Sequence, residues 1–253
     1  MQPATGHLAC GTSGKGRLPE PAEIISFIKN FIAHKEGDLQ GLKILVTAAG
    51  TREPIDPVRF VGNRSSGKMG YAVAQAAAER GADVVLVSGP SSLIAPANVE
   101  VVNVETTREM MDAVLAKYDE MDIVIKAAAV ADYCPHEVAG QKIKKATDDA
   151  LNIVLDKNPD ILKKLGELKT KQFLVGFAAE TQNLLANAAE KIKKKNLDMI
   201  VANDVTVAGA GFNCDTNVVK FLFPNGDVKN LEKMSKFEVA QALLNEVKAA
   251  RNK

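Results

Sequence analysis

The chain has 253 residues and a formal net charge of +1, with 46% hydrophobic and 25% charged residues, which allows one large domain or two small ones. Lysine and arginine are spread along the chain and no apolar run reaches the roughly 18 residues of a membrane span, so neither nucleic acid nor a membrane is expected as a partner. Three widely separated cysteines (Cys10, Cys134 and Cys214) form neither a disulfide framework nor a zinc site, and without a signal-peptide pattern they predict a cytoplasmic protein.

The first 40 residues are predicted to stand apart from the rest of the chain. Residues 1–21 are rich in glycine and proline and predict a loop, and Pro21 opens a helix with apolar residues at helical spacing. The polar stretch 34–41 contains two glycines and predicts a linker. We therefore divide the chain into residues 1–40 and a main domain of residues 41–253.

Short apolar runs alternate with amphipathic stretches through most of the main domain. The runs predict buried strands at residues 43–48, 83–88, 99–104, 122–128, 151–155, 172–178 and 198–202. Helices are predicted at residues 68–80, 107–118, 159–168 and 183–196. Alternation of this kind predicts a Rossmann-like, three-layer α/β fold, with a mostly parallel sheet between two layers of helices.

The last third of the chain departs from this alternation. Residues 217–223 alternate between apolar and polar side chains, Asn225-Gly226 is a strong hairpin signal, and a closing helix is predicted after Ser235. A doubly wound sheet does not need such a hairpin extension. We therefore expect the extension to pair across a two-fold axis, which predicts a homodimer.

In an open parallel sheet, ligands bind beyond the carboxyl ends of the strands, so the segments that follow the predicted strands are the candidate site. The small-residue turn at residues 48–53 lacks the G-x-G-x-x-G pattern of NAD-binding proteins. None of the three tyrosines precedes a lysine by four residues, as a short-chain dehydrogenase requires. These absences argue against a nicotinamide-dependent oxidoreductase. A non-catalytic module that binds a nucleotide without turnover is a second alternative.

The glycine- and serine-rich segment 62–70 formally contains G-x-x-x-x-G-K. A P-loop is rejected, because Met69 stands where a magnesium-binding Ser or Thr is required and no buried strand feeds the segment. What remains is a helix N-terminus, whose N–H groups and dipole favour an anionic group. A capped helix start that binds nothing explains these residues equally well.

Further segments after the predicted strands have both a functional and a purely structural interpretation. The small residues of segment 127–133 admit a nucleotide close to the backbone, or a closely packed helix. Phe177 suits stacking on a base or packing in the core. Three features, taken singly, are more typical of a solvated surface or a plain helix start than of a binding site: the basic run 142–145, residues 158–161, and the i, i+4 pair Lys191 and Lys195.

In this order, the segments resemble one family, the phosphopantothenoylcysteine synthetases of coenzyme A biosynthesis. The resemblance runs from about Gly41 to the C-terminus and reverses most of the purely structural interpretations. The matching pieces are Thr47-Ala48-Ala49-Gly50-Thr51 with Glu53, Ile55-Asp56-Pro57-Val58-Arg59, residues 63–70, 128–133, 142–145, 158–162 and 176–181, Lys195-Asn196-Leu197-Asp198 and Ala202-Asn203-Asp204.

The resemblance implies a CTP-dependent ligase that joins 4′-phosphopantothenate to cysteine. In that family the carboxylate attacks the α-phosphorus, pyrophosphate leaves, and the cysteine amine attacks the acyl-cytidylate and releases CMP. Asn63 and Lys142 would be catalytic, with Lys142 acting in acyl-nucleotide formation and Asn63 in the second step. The implied nucleotide contacts are Ala127, Ala128, Asp132, Lys142, Pro159, Asp160, Ile161, Leu162 and Phe177, with Lys191 and Lys195 holding phosphates. Mg²⁺ is expected with the triphosphate, carried mainly by phosphate oxygens and water.

A second resemblance covers the N-terminus. Ala9-Cys10-Gly11 and the residues up to Ile24 look like the end of the flavin-dependent phosphopantothenoylcysteine decarboxylase, which bacteria commonly fuse ahead of the synthetase. Cys10 matches the proton-donating cysteine of that family, whereas Thr12 replaces a usually acidic residue. The FMN-binding portion of the decarboxylase is missing here, so we expect this chain not to decarboxylate by itself.

Overall fold

The computed structural model describes residues 3–7, 11–25, 27–28, 37–145, 150–180, 184–204 and 214–251. In chain order its elements are β1 (Ala4–His7), β2 (Ser13–Arg17), β3 (Lys43–Ala48), β4 (Arg52–Pro54), β5 (Phe60–Gly62), α1 (Lys68–Glu79), β6 (Asp83–Ser88), β7 (Val99–Asn103), α2 (Thr107–Tyr118), β8 (Ile123–Lys126), β9 (Tyr133–Pro135), β10 (Leu155–Lys157), α3 (Ile161–Leu168), β11 (Phe173–Glu180), α4 (Leu184–Lys194), β12 (Met199–Asp204), β13 (Thr216–Asn217), β14 (Val219–Leu222), β15 (Val228–Asn230), β16 (Met234–Ser235) and α5 (Lys236–Arg251).

An eight-stranded sheet in the order β15-β14-β12-β11-β8-β3-β6-β7 forms the centre of the molecule. The six strands from β12 to β7 run parallel, and β14 and β15 are added antiparallel. The chain starts at β3, builds outward to β7, and then crosses to β8 on the other side of β3. The order therefore reverses between β3 and β8, and the predicted Rossmann-like fold is confirmed.

Two hydrophobic clusters lie on opposite faces of this sheet. Helices α1 and α5 cover the face that contains Ile44 and Val46 of β3. Helices α2, α3 and α4 cover the other face, which contains the intervening Leu45. Each of these three side chains is fully buried, which stabilises the fold by roughly 1.5–3 kcal/mol per residue. Because both faces are covered, the strands are continuously apolar, and this is why the sequence predicts them well.

The N-terminal region differs from the prediction. Strands β1 and β2 form an antiparallel hairpin where a loop is predicted. The sequence does not indicate this hairpin, because its strands pair through backbone hydrogen bonds and lack alternating apolar residues. Residues 21–25 and 27–28 are helical, as predicted from Pro21 onward. The later residues of this predicted helix lie outside the described residues.

The predicted linker 34–41 is wrong for residues 37–41, and residues 34–36 lie outside the described part of the chain. Leu39 is 1% exposed, and its N–H donates to the Arg80 carbonyl oxygen at 2.9 Å. Asp38 accepts hydrogen bonds from the Arg80 guanidinium and from Lys248 at the far end of α5. This turn is therefore fixed to the main domain, and the boundary at residue 40 stays a prediction.

The predicted strand at residues 151–155 is also wrong. Residues 151–154 form no strand, and β10 pairs antiparallel with β9 outside the main sheet. A second two-stranded sheet, β4 with β5, contacts β9, and the sequence did not indicate it. We call these four strands the arm. The apolar run that suggested a buried strand is exposed on the arm, where Leu151 is 52% and Val154 is 69% exposed.

The C-terminal extension follows the prediction. Strands β14 and β15 form a hairpin around Asn225-Gly226, where Gly226 has a φ of 90°, a left-handed conformation that favours glycine. The closing helix α5 begins directly after Ser235. Helix α5 packs against α1 and completes one layer of helices.

Candidate functional site

The strand order of the sheet reverses between β3 and β8, and the loops that follow these two strands meet at the carboxyl edge. Beyond the strands, Gly50 and Ala129 form an isolated parallel bridge, and the Ala129 N–H donates to the Ala49 carbonyl oxygen at 2.8 Å. Ala49 has a φ of 64°, an uncommon left-handed conformation for a residue with a side chain. The two loops that leave β3 and β8 are therefore tied to one another at the reversal of strand order, where ligands of such sheets bind.

A buried hydrogen-bond network holds these loops in place. Glu53 is 3% exposed and accepts hydrogen bonds from the Thr107 N–H and Oγ1, at 2.9 and 2.6 Å. Asn158 donates from Nδ2 to Thr107 Oγ1 and to the Ala131 carbonyl oxygen. Thr51 Oγ1 accepts the Ala131 N–H at 3.0 Å. Three residues of the family motifs, Thr51, Glu53 and Asn158, thus position the loop after β8 by means of buried contacts.

Helix α1 begins against the end of β3. Its N-cap Gly67 has a φ of 85° and provides no side-chain cap. A Cβ on Gly70 would lie 2.5 Å from the Ala48 Cβ, so only glycine permits this close approach. Gly67, the second glycine of the P-loop-like pattern, and Gly70 therefore serve the close packing of α1 against the end of β3. The first N–H groups of α1, which have no acceptor within a helix, lie at the edge of the sheet.

A cavity of about 60 Å³ lies on the side of this edge that α1 and α5 cover. Its lining consists of residues 65–70, Ala127, Phe177, Ala178, Asn203, Asn217 and Lys236. Asn217 is 3% exposed, and the Oδ1 atoms of Asn203 and Asn217 are buried without a hydrogen-bond partner among the described residues. Such atoms are rare in folded proteins and call for an explanation. We call this space the amide cavity.

Lys236, the first residue of α5, contributes a buried ammonium group to the amide cavity. It is 6% exposed, and its Nζ donates to the Cys214 carbonyl oxygen. Burial lowers the pKa of Lys236, the nearby Cys214 opposes this shift, and the charge of Lys68 adds to it. Lys68 and Lys236 therefore lie close together at the starts of α1 and α5, and the Asp215 carboxylate pairs with Lys68 at 2.6 Å and also opposes the pKa shift of Lys236.

The opposite side of the edge, which α3 and α4 cover, carries a cluster of charges. Lys126 ends β8, and burial lowers its pKa to about 8, with a further contribution from Lys195 and a smaller one from Lys191. The carboxylates of Asp160 and Asp132 oppose this shift. We call Lys126, Lys191 and Lys195 the lysine cluster. Such a group of cations can bind a polyanion.

Asp160 fixes the geometry of the lysine cluster. Its carboxylate caps α3 by accepting the Lys163 N–H at 3.0 Å, and it forms an ion pair with Lys195 Nζ at 2.8 Å. The pKa of Asp160 is lowered, because these hydrogen bonds outweigh its burial, which by itself would raise the pKa. Asp160 is therefore a carboxylate that holds one lysine of the cluster in place.

The structure divides the predicted nucleotide-contacting residues between the two sides of the edge. Ala127 and Phe177 line the amide cavity, whereas Asp132, Asp160, Lys191 and Lys195 lie around Lys126. The side chains of Ile161 and Leu162 are 2% and 6% exposed in the core, as is Ala128 at 6%, so these residues offer a ligand mainly their backbone. Pro159 lies between Asn158, which holds the loop, and Asp160.

Of the two predicted catalytic residues, Asn63 is fixed at the edge of the sheet and Lys142 is not. Asn63 donates from Nδ2 to the carbonyl oxygens of Ala129 and Val130, at 3.2 and 3.0 Å, which places its amide at the reversal of strand order. Lys142 is exposed and lies on the segment that follows the arm strand β9, just before residues 146–149, which are outside the described part of the chain. The structure therefore does not bring Lys142 into contact with the lysine cluster.

The segment that carries Lys142 is anchored by a buried carboxylate. Asp56 Oδ2 accepts the Ile143 N–H at 3.1 Å, and Arg59 donates to the Ile143 carbonyl oxygen at 3.1 Å. Asp56 is 3% exposed, and the Arg59 guanidinium together with backbone N–H groups holds the pKa of that carboxyl well below its usual range. The family motif that contains Asp56 and Arg59 thus fixes the base of the Lys142 segment.

Next to the amide cavity, a wider groove of about 910 Å³ runs along the ends of β6 and β7. It shares Ser65, Ser66 and Lys68 with the amide cavity and adds Arg52 on its other wall. The Arg52 guanidinium lies over the Phe60 ring, 4.7 Å from its centroid. Glu105 and Glu109 also line the groove, so it is a polar path of mixed charge that leads to the start of α1.

Three functional candidates escaped the sequence prediction: Lys126, Asn217 and Lys236. Lys126 had a signal that could have been used, because a lysine ending an otherwise apolar buried strand needs an explanation. Asn217 and Lys236 had no such signal in the sequence, since their burial follows only from the tertiary structure. Among the described residues no group of three or more His, Cys, Asp or Glu side chains could hold a metal ion. In the same part of the chain, no helix is long and apolar enough to span a membrane.

Comparison with known proteins supports the resemblance seen in the sequence. The chain is 49% identical over 251 residues to the coenzyme A biosynthesis bifunctional protein CoaBC of Bacillus subtilis, and 50% identical over 246 residues to that of Haemophilus influenzae. These alignments cover 98% and 97% of this chain but 62% and 60% of the relatives, so the chain spans about three fifths of their length. A crystal structure of the C-terminal domain of CoaBC superposes with a TM-score of 0.71 at 46% identity, covering 83% of this chain and 95% of that one.

The family match covers nearly all of the main domain. Residues 39–250 match the family described as the DNA/pantothenate metabolism flavoprotein C-terminal domain. The match begins within the turn at residues 37–41 and ends at the last turn of α5, in agreement with the packing of both segments on the sheet. The chain therefore belongs to the family of DNA/pantothenate metabolism flavoprotein C-terminal domains.

Proposed function

We propose that this chain ligates 4′-phosphopantothenate to cysteine in coenzyme A biosynthesis, using CTP and an acyl-cytidylate intermediate. The observation that carries the proposal is the lysine cluster, which lies at the same edge of the sheet as the amide of Asn63. The relatives that are about half identical to this chain are named as coenzyme A biosynthesis proteins, which supports the assignment of the pathway.

The first step needs positive charge near a triphosphate. An oxygen of the phosphopantothenate carboxylate attacks the α-phosphorus, the bond from the α-phosphorus to the bridging oxygen breaks, and pyrophosphate leaves. Negative charge moves onto the pyrophosphate as this bond breaks, so fixed cations lower the barrier. We assign this role to the lysine cluster, with Lys142 reaching the triphosphate from its exposed segment. The wide groove that holds Arg52 and Lys68 has room for the acid.

The second step forms the amide. The cysteine nitrogen attacks the acyl carbon, the bond from that carbon to the phosphate oxygen breaks, CMP leaves, and the nitrogen loses its extra proton to solvent. Asn63 is suited to orient the neutral mixed anhydride, because an amide carries both donors and an acceptor. Its hydrogen bonds to Ala129 and Val130 fix the amide before the reactants arrive, which is a requirement of preorganised catalysis.

Mg²⁺ would bind with the triphosphate. Such ions are usually held by phosphate oxygens and water together with one or two carboxylates, and Asp132 is an exposed carboxylate beside the lysine cluster. When bound, the ion would neutralise charge on the leaving pyrophosphate. FMN belongs to the decarboxylase that the N-terminal resemblance implies, and we propose no role for it in this reaction.

The proposal is tested by following the release of pyrophosphate and CMP. We expect pyrophosphate to form when CTP and phosphopantothenate are present, and CMP to appear only when cysteine is added. Nucleotide binding without any product release would instead support a non-catalytic module. Saturable binding of NADPH in place of CTP would support the oxidoreductase.

We also propose that the chain forms a homodimer through its C-terminal extension. Strand β15 is the last strand of the main sheet, and all three of its residues are exposed, so its outer edge can pair with a second copy. Light scattering at micromolar concentration should give twice the mass of one chain. A monomer at that concentration would contradict the proposal.

A further inference from the structure

Four side chains are hydrogen-bonded to one another next to the loop that follows β8. Thr107, the first residue of α2, has its Oγ1 2.6 Å from Glu53 Oε1 and 3.1 Å from Thr51 Oγ1. Asn158 Nδ2 lies 3.1 Å from the same Thr107 oxygen. The first three residues are at most 3% exposed, so water has little access to these bonds. We call the four side chains the Glu53 network.

The chemistry of each group fixes the direction of these hydrogen bonds. A hydroxyl has a single hydrogen, a carboxylate can only accept, and an amide nitrogen can only donate. The Thr107 hydrogen goes to Glu53 at 2.6 Å and not to the Ala131 carbonyl oxygen at 3.4 Å, because the charged acceptor at the shorter distance binds it more strongly. Thr51 must then donate to Thr107, and its own oxygen accepts the Ala131 N–H at 3.0 Å. The bonds therefore run in one direction, from the Ala131 N–H to the Glu53 carboxylate.

This direction also decides how the Asn158 amide is oriented. Because the single hydrogen of Thr107 is already donated, Asn158 has to turn its Nδ2 towards that hydroxyl. The second hydrogen on Nδ2 is donated to the Ala131 carbonyl oxygen at 2.9 Å, and the Asn158 N–H donates to the Asp132 carbonyl oxygen at 2.9 Å. The peptide groups of Ala131 and Asp132 are thus held at fixed distances from the segment that precedes α3.

The two segments that the Glu53 network joins carry the carboxylates of the lysine cluster. Asp132 belongs to the loop after β8, and Asp160 caps α3 and pairs with Lys195 at 2.8 Å. Both carboxylates act electrostatically on Lys126. Because Glu53 is 3% exposed, it influences these charges through the network and not by touching a ligand.

We propose that Glu53 is a positioning residue for the first step of the proposed reaction. As a buried acceptor with no hydrogen to donate, it sets the direction of the network and fixes Asp132 and Asp160 beside the lysine cluster before the nucleotide binds. The inference rests on the proposed function, in which the lysine cluster binds the triphosphate. Without the acceptor, the two segments can adopt more than one arrangement, and the nucleotide has to order them as it binds.

The first test compares two replacements of Glu53 that are close to it in size. Glu53→Met removes the acceptor, so the Thr107 hydrogen can turn to Thr51 or Ala131. We expect the Kd for CTP, measured by calorimetry, to rise about tenfold, the order expected for the loss of a buried hydrogen bond to a charged group. The KM for cysteine at saturating CTP should stay within about twofold of the wild type. Glu53→Gln keeps an oxygen that can accept both Thr107 bonds, so it should restore most of the CTP affinity.

Gln172→Met is the matched control. Gln172 is 1% exposed and donates to the Tyr118 carbonyl oxygen just before β11, at the amino end of the parallel strands. Its replacement also removes buried hydrogen bonds, so we expect a lower Tm and an unchanged Kd for CTP. If Glu53→Met likewise lowers the Tm and leaves the Kd for CTP unchanged, the inference is overturned. It is also overturned if Glu53→Met weakens the binding of CTP and of cysteine equally.

A second test does not depend on how well Glu53→Met folds. Thr107→Val keeps the shape of the side chain and removes the hydroxyl, whereas Thr107→Ser keeps the hydroxyl. The valine variant should raise the Kd for CTP about tenfold, and the serine variant should stay within about twofold of the wild type. In the double variant Glu53→Met/Thr107→Val the two losses should not add, because both interrupt the same chain of bonds. Additive losses, or equal Kd values for the valine and serine variants, contradict the inference.

The remaining outcomes separate this inference from the proposed function. A wild-type protein that neither binds CTP nor forms pyrophosphate from CTP and phosphopantothenate overturns the proposed function, and the inference with it. An active wild type whose Glu53→Met and Thr107→Val variants bind CTP equally tightly overturns the inference alone.

Discussion

The two sides of the carboxyl edge differ in the number of charged side chains that they carry. On the side covered by α3 and α4, Lys126 interacts electrostatically with Lys191 and Lys195 and with the carboxylates of Asp132 and Asp160. On the side covered by α1 and α5, Asn203, Asn217 and Lys236 line a small cavity, and the Oδ1 atoms of the two amides are buried without a partner among the described residues. The sheet separates these two environments. One edge therefore offers ionic contacts on one side and mainly amide contacts on the other.

Burial lowers the pKa of a lysine on both sides, but with different neighbours. The carboxylates of Asp132 and Asp160 act on Lys126 together with two lysines, whereas Lys236 lies near the Cys214 carbonyl, Lys68 and the Asp215 carboxylate, which pairs with Lys68 at 2.6 Å. Each side thus has more cationic than acidic side chains and can bind an anion. Four substitutions test which step of the proposed reaction depends on which residue.

The largest effect is expected from Lys142→Ala. If Lys142 stabilises the triphosphate as the carboxylate attacks, its loss should slow pyrophosphate formation by on the order of 10² to 10³, with or without cysteine. The fold should be retained, because Lys142 is exposed. Lys144→Ala, at the next exposed lysine of the same run, is the control. Equal loss in both variants would mean that the run provides general positive charge and that Lys142 has no specific role.

Asn63→Ala should affect the other half-reaction, by about 10². Pyrophosphate formation should be largely kept while amide formation stalls, and mass spectrometry of quenched single-turnover mixtures should detect bound acyl-nucleotide. The side chain also holds two carbonyl oxygens of the loop after β8, so some loss of thermal stability is expected as well. Accumulation of acyl-nucleotide in Lys142→Ala instead would reverse the two roles.

Lys126→Met should weaken nucleotide binding and stabilise the protein at the same time. The pKa of Lys126 falls from 10.5 to about 8, so below pH 8 the folded state carries a buried charge at a penalty on the order of 3 kcal/mol. This penalty declines as the pH rises from 8 towards 10.5, where the unfolded chain also loses its proton. We expect a higher Tm at pH 7 and a KM for CTP raised by about tenfold.

The pH dependence provides a second measurement for Lys126. In the wild type, CTP binding should weaken as the pH rises through about 8, because the free protein then loses the Lys126 proton. This step should be absent in Lys126→Met. Lys171→Met, at an exposed lysine near the start of β11, should change neither Tm nor KM. A lower Tm in Lys126→Met would contradict the account of the lowered pKa.

The smallest effect, none, is expected from Cys10→Ser. Cys10 lies outside the described residues and belongs to the segment that resembles the decarboxylase. That segment is expected to serve the decarboxylase, so the release of pyrophosphate and CMP should be unchanged. A large loss of either rate would show that the N-terminal segment contributes to one of the two sites.

The sequence predicts well those strands that are covered by helices on both faces of the sheet. The strands at 43–48 and 83–88 have the predicted bounds, because burial on both faces requires continuous apolar runs. The same rule fails at residues 151–155, where an equally apolar run is exposed on the arm. An apolar run indicates that a surface needs a partner, and the sequence does not say whether that partner is the sheet.

The candidate site was predictable where a residue lies on a motif that follows a strand. Asn63, Phe177 and Asp160 were predicted in this way, and the structure places them at one edge of the sheet, while their roles stay predictions. The division of this edge into two sides was not predictable, since it depends on which face of the sheet each helix covers. Asn217 was missed because it lies on β13, which pairs with β16, and no local pattern in the sequence indicates that contact between distant residues.

The wall that holds Asn217 and Lys236 comes from the segment after the last parallel strand, whereas the lysine cluster comes from the parallel core. This separation makes the C-terminal segment a natural target for protein engineering. Exchanging the side chains of Asn217 and Lys236 would change the wall of the amide cavity and leave the lysine cluster intact. A library confined to these positions would therefore vary the ligand that the cavity accepts while the parallel core stays the same.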